Sequence, residues 1–435
     1  MSKKRVGIIT LGCKVNQYES EAVAEAFEAS RYTVASPDEI CDVYVINTCT
    51  VTAESDRKAR QAIRRAVTLN PNAAILVTGC LAQSHPSDVA KINGVDYICG
   101  SRNKLSVVAA AERILTEGKP QQVQIDLPPL QSTPFEAMCI THFERTRAYV
   151  KIEDGCENRC AYCAIPAARG PVCSKSPEEI VKEVAGLIAG GCREVVLTGI
   201  ETASFGRDLK TASLIELLEA VDKINGDFRI RLGSLDPSLM KPDFVARAAR
   251  LVHLAPHFHL SVQSGASPVL AAMRRKYNRS MALDGILRLR NAIPNLELTA
   301  DFIVGFPGEC EEDFADTLSF AKEAAFLQMH VFAYSRREGT PAATMQGQID
   351  TATKKRRSGA LIALGQELRS ARLRAALQQP VRTVLFESYE NGLAVGHTDS
   401  FLEVAVSSDV PLHGQLLTVR LTHIENDRLI ATPER

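Results

Sequence analysis

The 435-residue sequence has no apolar run long enough to cross a membrane. Its longest apolar stretches, such as residues 194–200, have the length of a β-strand, whereas a membrane-spanning helix needs about 20 apolar residues. The basic start, with the short apolar stretch at residues 6–10, lacks the small-residue cleavage site of a secretory signal. We therefore expect a cytoplasmic protein that does not span a membrane.

The sequence also lacks net charge, because 51 lysines and arginines balance 51 aspartates and glutamates. A neutral chain has no overall field that attracts a polyanion, so nucleic-acid binding would depend on local basic clusters. Hydrophobic residues make up 45% of the chain and charged residues 23%, as in globular proteins. Its length predicts two or three domains.

Twelve cysteines without a secretory signal favour metal binding or catalysis over disulfides. Cys156, Cys160 and Cys163 form a C-x3-C-x2-C run that has no fourth cysteine beside it. A structural zinc site needs four ligands, and a ferredoxin-type run supplies a fourth cysteine. Three thiolates on a 4Fe-4S cluster leave one iron free to bind a small molecule. The spacing therefore predicts a catalytic iron-sulfur cluster.

Residues 5 to about 130 alternate strand-like and helix-like segments, which predicts an open parallel sheet with helical connections. Cys13, Cys49 and Cys80 each follow one of the predicted strands. Ligands bind at the carboxyl ends of parallel strands, so we expect these three cysteines to converge. By the same count of ligands, they predict a second, auxiliary 4Fe-4S cluster. The other six cysteines show no pattern and are expected to be ordinary core residues.

A second α/β region follows a predicted linker at residues 118–135. Its predicted strands, at about residues 147–153, 194–198, 229–233, 257–262, 297–304 and 328–332, alternate with helices. This order is typical of a full or partial TIM-type α/β barrel, whose active site lies at the carboxyl ends of the strands. Five polar or glycine residues near those ends are candidate site residues: Gly199, Glu201, Ser234, Gln263 and Gly305.

The last part of the sequence has a different pattern. A basic segment, residues 354–374, is predicted to be a helix whose charged face contacts either solvent or RNA. Short alternating runs between residues 381 and 432 predict a small, OB-like β-barrel. Barrels of this size often bind nucleic acid.

The C-x3-C-x2-C run resembles the signature of radical S-adenosylmethionine enzymes. With both cysteine sets and the β-rich tail, the whole chain resembles the methylthiotransferases. The resemblance implies an N-terminal auxiliary-cluster domain (residues 1–135), a radical S-adenosylmethionine core (140–375) and a C-terminal TRAM domain that binds RNA (376–435). It also implies two 4Fe-4S clusters and S-adenosylmethionine as cofactors. The implied contacts to S-adenosylmethionine are Tyr162, Gly199, Glu201, Ser234, Gln263 and Gly305.

Motifs at residues 11–21, 273–277, 301–309 and 330–342 look like the branch that modifies N6-threonylcarbamoyladenosine in tRNA. The pair Lys14 and Val15 distinguishes this branch from those acting on isopentenyladenosine or on a ribosomal-protein aspartate. The resemblance implies that one S-adenosylmethionine methylates a sulfur held on the auxiliary cluster. A second is cleaved at the Cys156/Cys160/Cys163 cluster, and its radical enables sulfur insertion at carbon 2 of adenine. The alternatives are another methylthiotransferase substrate, or a non-catalytic iron-sulfur protein that binds RNA or carries electrons.

The substrate base lies in a single-stranded loop beside the anticodon, where proteins use stacking and backbone charge. Aromatic and basic residues in two segments are the candidate RNA contacts: Arg274, Arg275, Lys276, Tyr277, Tyr334, Arg336 and Arg337. A reductase of the flavodoxin type is the expected electron donor, while the sulfur donor is not indicated. Ala167, Cys173 and Glu201 depart from the residues usual in the branch, which leaves local cofactor or RNA contacts open.

Overall fold

The computed structural model describes residues 3–143 and 145–434. An open parallel sheet, an open parallel barrel and a closed five-stranded barrel follow one another along the chain. This confirms the predicted α/β fold class with its C-terminal β-barrel. Among the described residues, no helix combines the length and the apolar character needed to cross a membrane.

The N-terminal sheet has six parallel strands in the spatial order β2-β1-β3-β4-β5-β6. Its strands are β1 (Arg5–Thr10), β2 (Thr33–Ala35), β3 (Val43–Thr48), β4 (Ala74–Gly79), β5 (Tyr97–Cys99) and β6 (Gln124–Asp126). Every residue of β3 and β4 is buried, as expected where helices cover both faces of a parallel sheet. β6 falls inside the predicted linker, so part of that segment extends the sheet instead.

Five helices connect these strands: α1 (Lys14–Ala29), α2 (Ala53–Leu69), α3 (Cys80–Ser84), α4 (Pro86–Ala90) and α5 (Ser106–Glu117). The sequence predicts a helix from about Ser20 to Ser30, whereas α1 begins six residues earlier, at Lys14, with Cys13 at its N-cap. α2 is capped by Thr52, whose side chain accepts a hydrogen bond from the backbone of Ser55. The earlier start of α1 places Lys14 on a rigid element.

The central region forms an open barrel. Its strands are β7 (Ala148–Lys151), β10 (Glu194–Thr198), β11 (Arg229–Leu232), β12 (Ser234–Leu235), β13 (His257–Gln263), β14 (Glu297–Val304) and β15 (Gln328–Ala333). The short strands β8 (Glu153–Asp154) and β9 (Cys173–Ser174) form a separate antiparallel pair. Parallel pairing runs through β7-β10-β11 and β12-β13-β14-β15, and only Gly233 separates β11 from β12. The predicted partial barrel is therefore confirmed, with β7 and β15 at its two edges.

The helices of this region are α6 (Ile165–Arg169), which lies against α3 of the N-terminal sheet, and α7 (Pro177–Ala189), α8 (Leu214–Asp222), α9 (Pro242–Ala248), α10 (Ser267–Ala272), α11 (Arg279–Ala292), α12 (Glu311–Ala324) and α13 (Thr351–Ala376). The main hydrophobic core lies between strands and helices and includes Tyr18 and Ala22 of α1. The Tyr18 hydroxyl donates to the backbone oxygen of Met138 (2.8 Å) and lies 3.1 Å from Glu183 of α7. α1 thereby joins the N-terminal sheet to the barrel.

The C-terminal barrel contains β16 (Val381–Glu390), β17 (Leu393–Thr398), β18 (Glu403–Ser407), β19 (Leu416–Glu425) and β20 (Arg428–Pro433). The closed order β16-β17-β18-β20-β19 leaves no free sheet edge. The ring of Phe401 stacks between His257 and His397, with centroid separations of 4.5 and 4.7 Å. His257 is the first residue of β13, so this barrel docks at the amino ends of the central strands, away from their carboxyl ends.

Candidate functional site

Cys13, Cys49 and Cys80 lie at the carboxyl ends of β1, β3 and β4, which are neighbours in the N-terminal sheet. Cys13 is exposed, whereas Cys49 and Cys80 are buried. Gly12 has a positive φ of 106°, and a Cβ there would lie 3.0 Å from the Cys49 sulfur. Burial, together with the proximity of Cys80 and Cys13, raises the pKa of Cys49 to about 11. The convergence expected from the sequence is therefore present.

Arg169, at the end of α6, connects this cysteine group to the barrel. The Arg169 side chain is fully buried and donates from Nε to the Cys80 sulfur at 3.2 Å. Its Nη2 donates to Asn16 Oδ1 at 2.6 Å, and its Nη1 lies 2.5 Å from Glu19 Oε1. A guanidinium from the barrel thus contacts a sulfur and a helix of the N-terminal sheet.

Three buried cations surround two buried carboxylates beside Cys80. Glu19 accepts from Lys151 at 2.7 Å and lies 3.3 Å from Lys104, in addition to its contact with Arg169. Asp154 accepts from Lys151 at 2.6 Å. A buried charge is stable only when it is compensated, and this group carries one uncompensated positive charge. A cluster-bound thiolate at Cys80 would compensate it, so the surroundings fit an anionic iron-sulfur group.

The second cysteine group lies on the loop after β8. The backbone of Cys156 donates to Gly170 oxygen at 3.0 Å, and that of Cys163 donates to Cys160 oxygen at 3.1 Å. Burial is the main cause of the raised pKa of Cys156, about 12, to which Glu201 and the other two cysteines contribute. The electrostatic influence of Cys160 and Cys163 on Cys156 places the three side chains near one another, which suits a metal cluster, since binding iron displaces the thiol protons.

Arg275 reaches the same loop from the turn after α10. Its Nη1 donates to the Cys160 sulfur at 3.3 Å, and its Nη2 to Asp236 at 2.7 Å. Nη1 also lies 3.5 Å from the hydroxyl of Tyr162. Arg275 therefore places positive charge at the catalytic cysteine loop, as Arg169 does at the other group. The sequence did not indicate this role.

The sequence-predicted residues Gly199 and Glu201 lie beside the cysteine loop. A Cβ at Gly199 would lie 2.4 Å from Glu153 Oε2, so a side chain is excluded there. Glu153 Oε2 accepts from the backbone of Glu201 at 2.9 Å, and Asn158 Nδ2 donates to Glu201 Oε2 at 3.1 Å. Burial, followed by the charge of Asp236, raises the pKa of Glu201 to about 7. This carboxyl group titrates near neutral pH at the edge of the loop.

The other predicted strand-end residues differ in position. Gln263 lines a cavity described below, and Ser234 is exposed at the start of β12, where it pairs with His259. Gly305 has a φ of 71°, and a Cβ there would lie 2.4 Å from Lys354 Cγ of α13. Packing against α13 therefore accounts for Gly305, which is not among the residues lining the cavity.

A cavity of about 250 Å³ lies between the Cys163 end of the second cysteine loop and the segment that follows Cys49. Its wall includes Val51 and Thr52, which follow Cys49, and also Tyr162 and Cys163 of the other loop. The remaining lining residues are Ala164, Ile165, Gln263, Asp301, Ile303, Phe332, Ala333, Tyr334 and Ser335. A larger cavity of about 820 Å³, on the outer face around Phe205 and Arg288, touches no cysteine. The site therefore lies at the carboxyl ends of the barrel strands.

Arg337 fixes the Cys49 loop to the barrel. This side chain is buried, and its Nη2 donates to Thr50 Oγ1 at 2.8 Å and to Asp56 Oδ2 at 2.7 Å. Nearby, the backbone of Ala53 donates to Ser335 Oγ at 3.5 Å. These contacts hold one wall of the cavity against the other.

The structure corrects part of the predicted RNA contact. Arg275 and Arg337 make the inward contacts described above, and the buried Tyr277 donates to Val262 oxygen at 2.6 Å. Tyr334 is also buried, with the Lys354 ammonium 5.0 Å from its ring. The exposed members of the predicted set are Arg274, Lys276 and Arg336. Of the departures from the family pattern, Ala167 is exposed on α6 and Cys173 is buried in β9.

Polar side chains line the barrel interior below the cavity. We call Lys14, His259, Asp301 and His330 the lumen cluster. His259 Nε2 lies 3.2 Å from Asp301 Oδ2, and the His259 and His330 rings are 5.7 Å apart. Lys14 is exposed, although its ammonium interacts electrostatically with buried groups such as Glu194. Because the Lys14 side chain is accessible to solvent and also near these groups, we place it at the open interior of the barrel.

Comparison with known proteins defines the class. Residues 150–321 match the Radical SAM superfamily, and residues 5–100 match the uncharacterized protein family UPF0004. The fold is similar to the methyltransferase TsrM from Kitasatospora setae, with a TM-score of 0.58, 14% identity, and coverage of 79% of this chain and 77% of that one. With its three-cysteine loop, the chain is a radical S-adenosylmethionine protein.

Relatives identify the family within this class. The threonylcarbamoyladenosine tRNA methylthiotransferase MtaB of Bacillus subtilis is 38% identical, over 96% of this chain and 93% of its own length. The MtaB of Thermotoga maritima is 39% identical over 92% and 91%. The tRNA-2-methylthio-N(6)-dimethylallyladenosine synthase of Moorella thermoacetica is 35% identical over 98% and 97%. The chain belongs to the methylthiotransferase family.

Proposed function

We propose that this protein is a tRNA methylthiotransferase that converts N6-threonylcarbamoyladenosine beside the anticodon into its 2-methylthio derivative. Relatives named for that substrate match nearly the whole chain at up to 39% identity. The structural observation that carries the proposal is the cavity lined by residues from both cysteine loops. A reaction that needs two cofactor sites at one substrate requires such a shared space.

Membership of the radical S-adenosylmethionine class brings S-adenosylmethionine and a 4Fe-4S cluster, for which Cys156, Cys160 and Cys163 are the ligands the loop offers. A second cluster, held by Cys13, Cys49 and Cys80, is part of our proposal. When bound, these cofactors supply the radical and the sulfur needed to functionalise an unactivated C–H bond.

The protein's own residues contribute positioning, charge and exclusion of water. Arg169 and Arg275 each donate a hydrogen bond to a cysteine sulfur, which favours the anionic form of the sulfur they contact. Arg337 holds the Cys49 loop over the barrel. The apolar wall residues Ile303 and Phe332 limit water in the cavity, where a reactive species would otherwise be quenched.

The lumen cluster favours the threonylcarbamoyl substrate over the isopentenyl one. The relative named for dimethylallyladenosine is 35% identical, so identity alone separates the two poorly. An isopentenyl group is apolar and would form no ion pair or hydrogen bond with the charged and polar side chains of the lumen cluster. A threonylcarbamoyl group carries a carboxylate, a hydroxyl and amides that can pair with them.

We further propose a cytoplasmic protein whose partners are tRNA and an electron donor of the flavodoxin or reductase type. The proposed division of the chain is an auxiliary-cluster domain at residues 1–135, a radical core at 140–375 and an RNA-binding barrel at 376–435. Among the residues near the catalytic loop, Tyr162, Glu201 and Gln263 are the proposed contacts to S-adenosylmethionine.

Deletion of the gene tests the substrate directly. Bulk tRNA from the deletion strain is digested to nucleosides and analysed by mass spectrometry, with a strain that carries the restored gene as control. The expected result is loss of 2-methylthio-N6-threonylcarbamoyladenosine and accumulation of its unthiolated precursor. Persistence of the thiolated nucleoside contradicts the proposal, and loss of the isopentenyl derivative instead identifies the other substrate.

A further inference from the structure

Lys14 lies in the interior of the open barrel. It is the first residue of α1, which packs against the edge strand β7. Its ammonium interacts electrostatically with charged or polar groups on five barrel strands: Glu194 of β10, Arg231 of β11, His257 of β13, Asp301 of β14 and His330 of β15. A charge that is near side chains from strands all round an open barrel lies inside it.

Lys14 has no fixed partner there. Among the residues that the structure describes, none forms an ion pair or hydrogen bond with its ammonium, which has only the longer-range electrostatic interactions given above. The nearest carboxylate of the lumen cluster, Asp301, contacts His259 at 3.2 Å. Because Lys14 is exposed and makes no such contact, its ammonium remains available to an anionic ligand.

The floor of the interior contains two further polar atoms without a hydrogen-bond partner among the described residues. Arg231 is 2% exposed, and its Nε and Nη2 donate to Glu194 at 2.7 and 2.9 Å. Its Nη1 is buried and has no hydrogen-bond partner in the described part of the chain, and the same is true of His257 Nδ1. His257 is 5% exposed and lies in the same space as Lys14. Several buried groups therefore have hydrogen-bonding capacity left for one ligand.

Lys14 is also close to the proposed reaction site. It directly follows Cys13, and Asp301 of the lumen cluster is one of the residues lining the cavity between the two cysteine groups. A base held in that cavity would extend its N6 substituent past Asp301 toward the barrel interior. The only anionic group on a threonylcarbamoyladenosine base is the carboxylate of that substituent.

We propose that Lys14, with the unpaired Arg231 Nη1 of the barrel floor, binds the carboxylate of the substrate's N6 substituent and so determines which modified adenosine is thiolated. This inference rests on the proposed function and adds a residue that selects the substrate. Arg231 also ties the C-terminal barrel to the floor through its cation–π contact with Phe401, 5.1 Å away. Lys14 is therefore the better residue to change.

The test uses full-length reconstituted enzyme and two synthetic anticodon stem-loops, one with threonylcarbamoyladenosine and one with its carboxyl methyl ester. The variants are Lys14→Met and Lys14→Arg. Lys91→Met serves as control, because Lys91 is an exposed lysine of the same sheet domain with only a surface ion pair to Asp88. The readouts are KM and kcat for the thiolated product, stem-loop affinity by fluorescence titration, and bound iron and sulfide.

For Lys14→Met we expect a rise in KM of roughly 10- to 100-fold on the acid stem-loop, as for loss of a charged hydrogen bond. On the ester, Lys14→Met and wild type should agree, because no anion remains to be bound. Lys14→Arg should recover most of the affinity for the acid, and Lys91→Met should resemble wild type on both substrates. Iron and sulfide content should be the same in all four proteins.

Three results would overturn the inference. Equal losses for Lys14→Met on acid and ester would mean that Lys14 contacts the RNA backbone or only supports the fold. Unchanged affinity for the acid would mean that it touches no substrate. If wild type thiolates neither stem-loop, the proposed function itself is wrong, and the inference that rests on it is wrong as well.

Discussion

Arg169 Nε lies 3.2 Å from the sulfur of Cys80, so a guanidinium carried by the central barrel contacts a cysteine carried by the N-terminal sheet. Arg169 is the last residue of α6, the helix that follows the Cys156–Cys163 loop. One residue therefore connects the two cysteine groups that the proposed reaction requires. Its hydrogen bonds to Glu19 and Asp154 also make it part of the buried contact between the two regions.

Arg169→Met should destabilise the protein, because it removes the buried hydrogen bonds from Arg169 to Glu19, Asp154 and Asn16. Breaking a buried pair of this kind costs about 3–5 kcal/mol. Arg169→Lys keeps the charge and should lose less of the free energy of unfolding than Arg169→Met. Anaerobic urea unfolding measures the free energies, and iron analysis measures occupancy. Equal stability and equal iron content in Arg169→Met and wild type would contradict this role.

Arg337→Met should reduce thiolation while leaving reductive cleavage of S-adenosylmethionine intact. Arg337 fixes the Cys49 loop through Thr50 and Asp56, and it has no contact with the catalytic cysteines among the described residues. We expect the thiolated product to fall about tenfold or more, which corresponds to about 1.4 kcal/mol in the barrier, with 5′-deoxyadenosine formation near the wild-type level.

The matched control for Arg337→Met is Arg57→Met, because Arg57 lies on α2, the helix that carries the Arg337 partner Asp56. Arg57 pairs with Glu54 on the surface, where both side chains are more than half exposed, and such pairs contribute little. This variant should match wild type in both assays. If Arg337→Met lost 5′-deoxyadenosine formation to the same extent as thiolation, the variant would have disturbed the fold in general. That result would contradict a specific role of Arg337 in positioning the Cys49 loop.

Arg274, Lys276 and Arg336 should contribute to tRNA affinity through phosphate contacts, because they are the exposed members of the predicted basic set. Replacing each by alanine should reduce the slope of log affinity against log salt by about 0.7 if the phosphate belongs to a single strand. Lys182→Ala, an exposed change on the outer helix α7, is the control. Unchanged salt slopes in all three variants would place the RNA elsewhere.

Glu194 should make the free energy of unfolding depend on pH in the acid range. Burial alone would raise the pKa of this carboxyl group, but Arg231 and Arg147 outweigh it and lower the pKa to about 2. A carboxyl group whose pKa is lowered in the folded state stabilises the protein above its unfolded value, 4.5, and this contribution is lost as the pH falls toward 2.

Glu194→Gln should therefore be less stable than wild type at pH 7, by about 3 kcal/mol. The difference should shrink as the pH falls from about 4.5 toward 2, where the wild-type carboxyl is protonated as well. Denaturant unfolding of metal-free protein at pH 7 and pH 3 measures it. A difference that stays constant between these two pH values would show that the charge of Glu194 is not responsible.

The main elements could be predicted from sequence because their patterns are long and regular. Strands β10 and β14 were predicted with the bounds that the structure gives, and the cysteines after β1, β3 and β4 were expected to meet. The three-residue strands β2 and β6 were missed, since an edge strand of that length has no detectable period. α1 was predicted to start too late because Cys13 is not a usual N-cap residue.

The contacts that assemble the site were not predictable, because they join residues far apart in sequence. Arg275 and Arg337 looked like surface cations in basic runs, yet each is directed inward to a partner that only the folded chain supplies. In the sequence, Lys14 served only to distinguish one branch of the family from the others. Its position inside the barrel depends on how α1 packs against β7. Local pattern identifies such residues, but tertiary packing determines what they contact.

The central claim is that two incompletely ligated iron-sulfur sites face one cavity, one that cleaves S-adenosylmethionine and one that delivers sulfur. The most direct measurement compares Cys160→Ala with Cys13→Ala, with iron, 5′-deoxyadenosine and thiolated tRNA quantified in the same anaerobic reaction. Cys160→Ala should form neither product, whereas Cys13→Ala should still form 5′-deoxyadenosine and yield no thiolated tRNA. Thiolation by Cys13→Ala at the wild-type level, or wild-type protein with iron for a single cluster, would contradict the account.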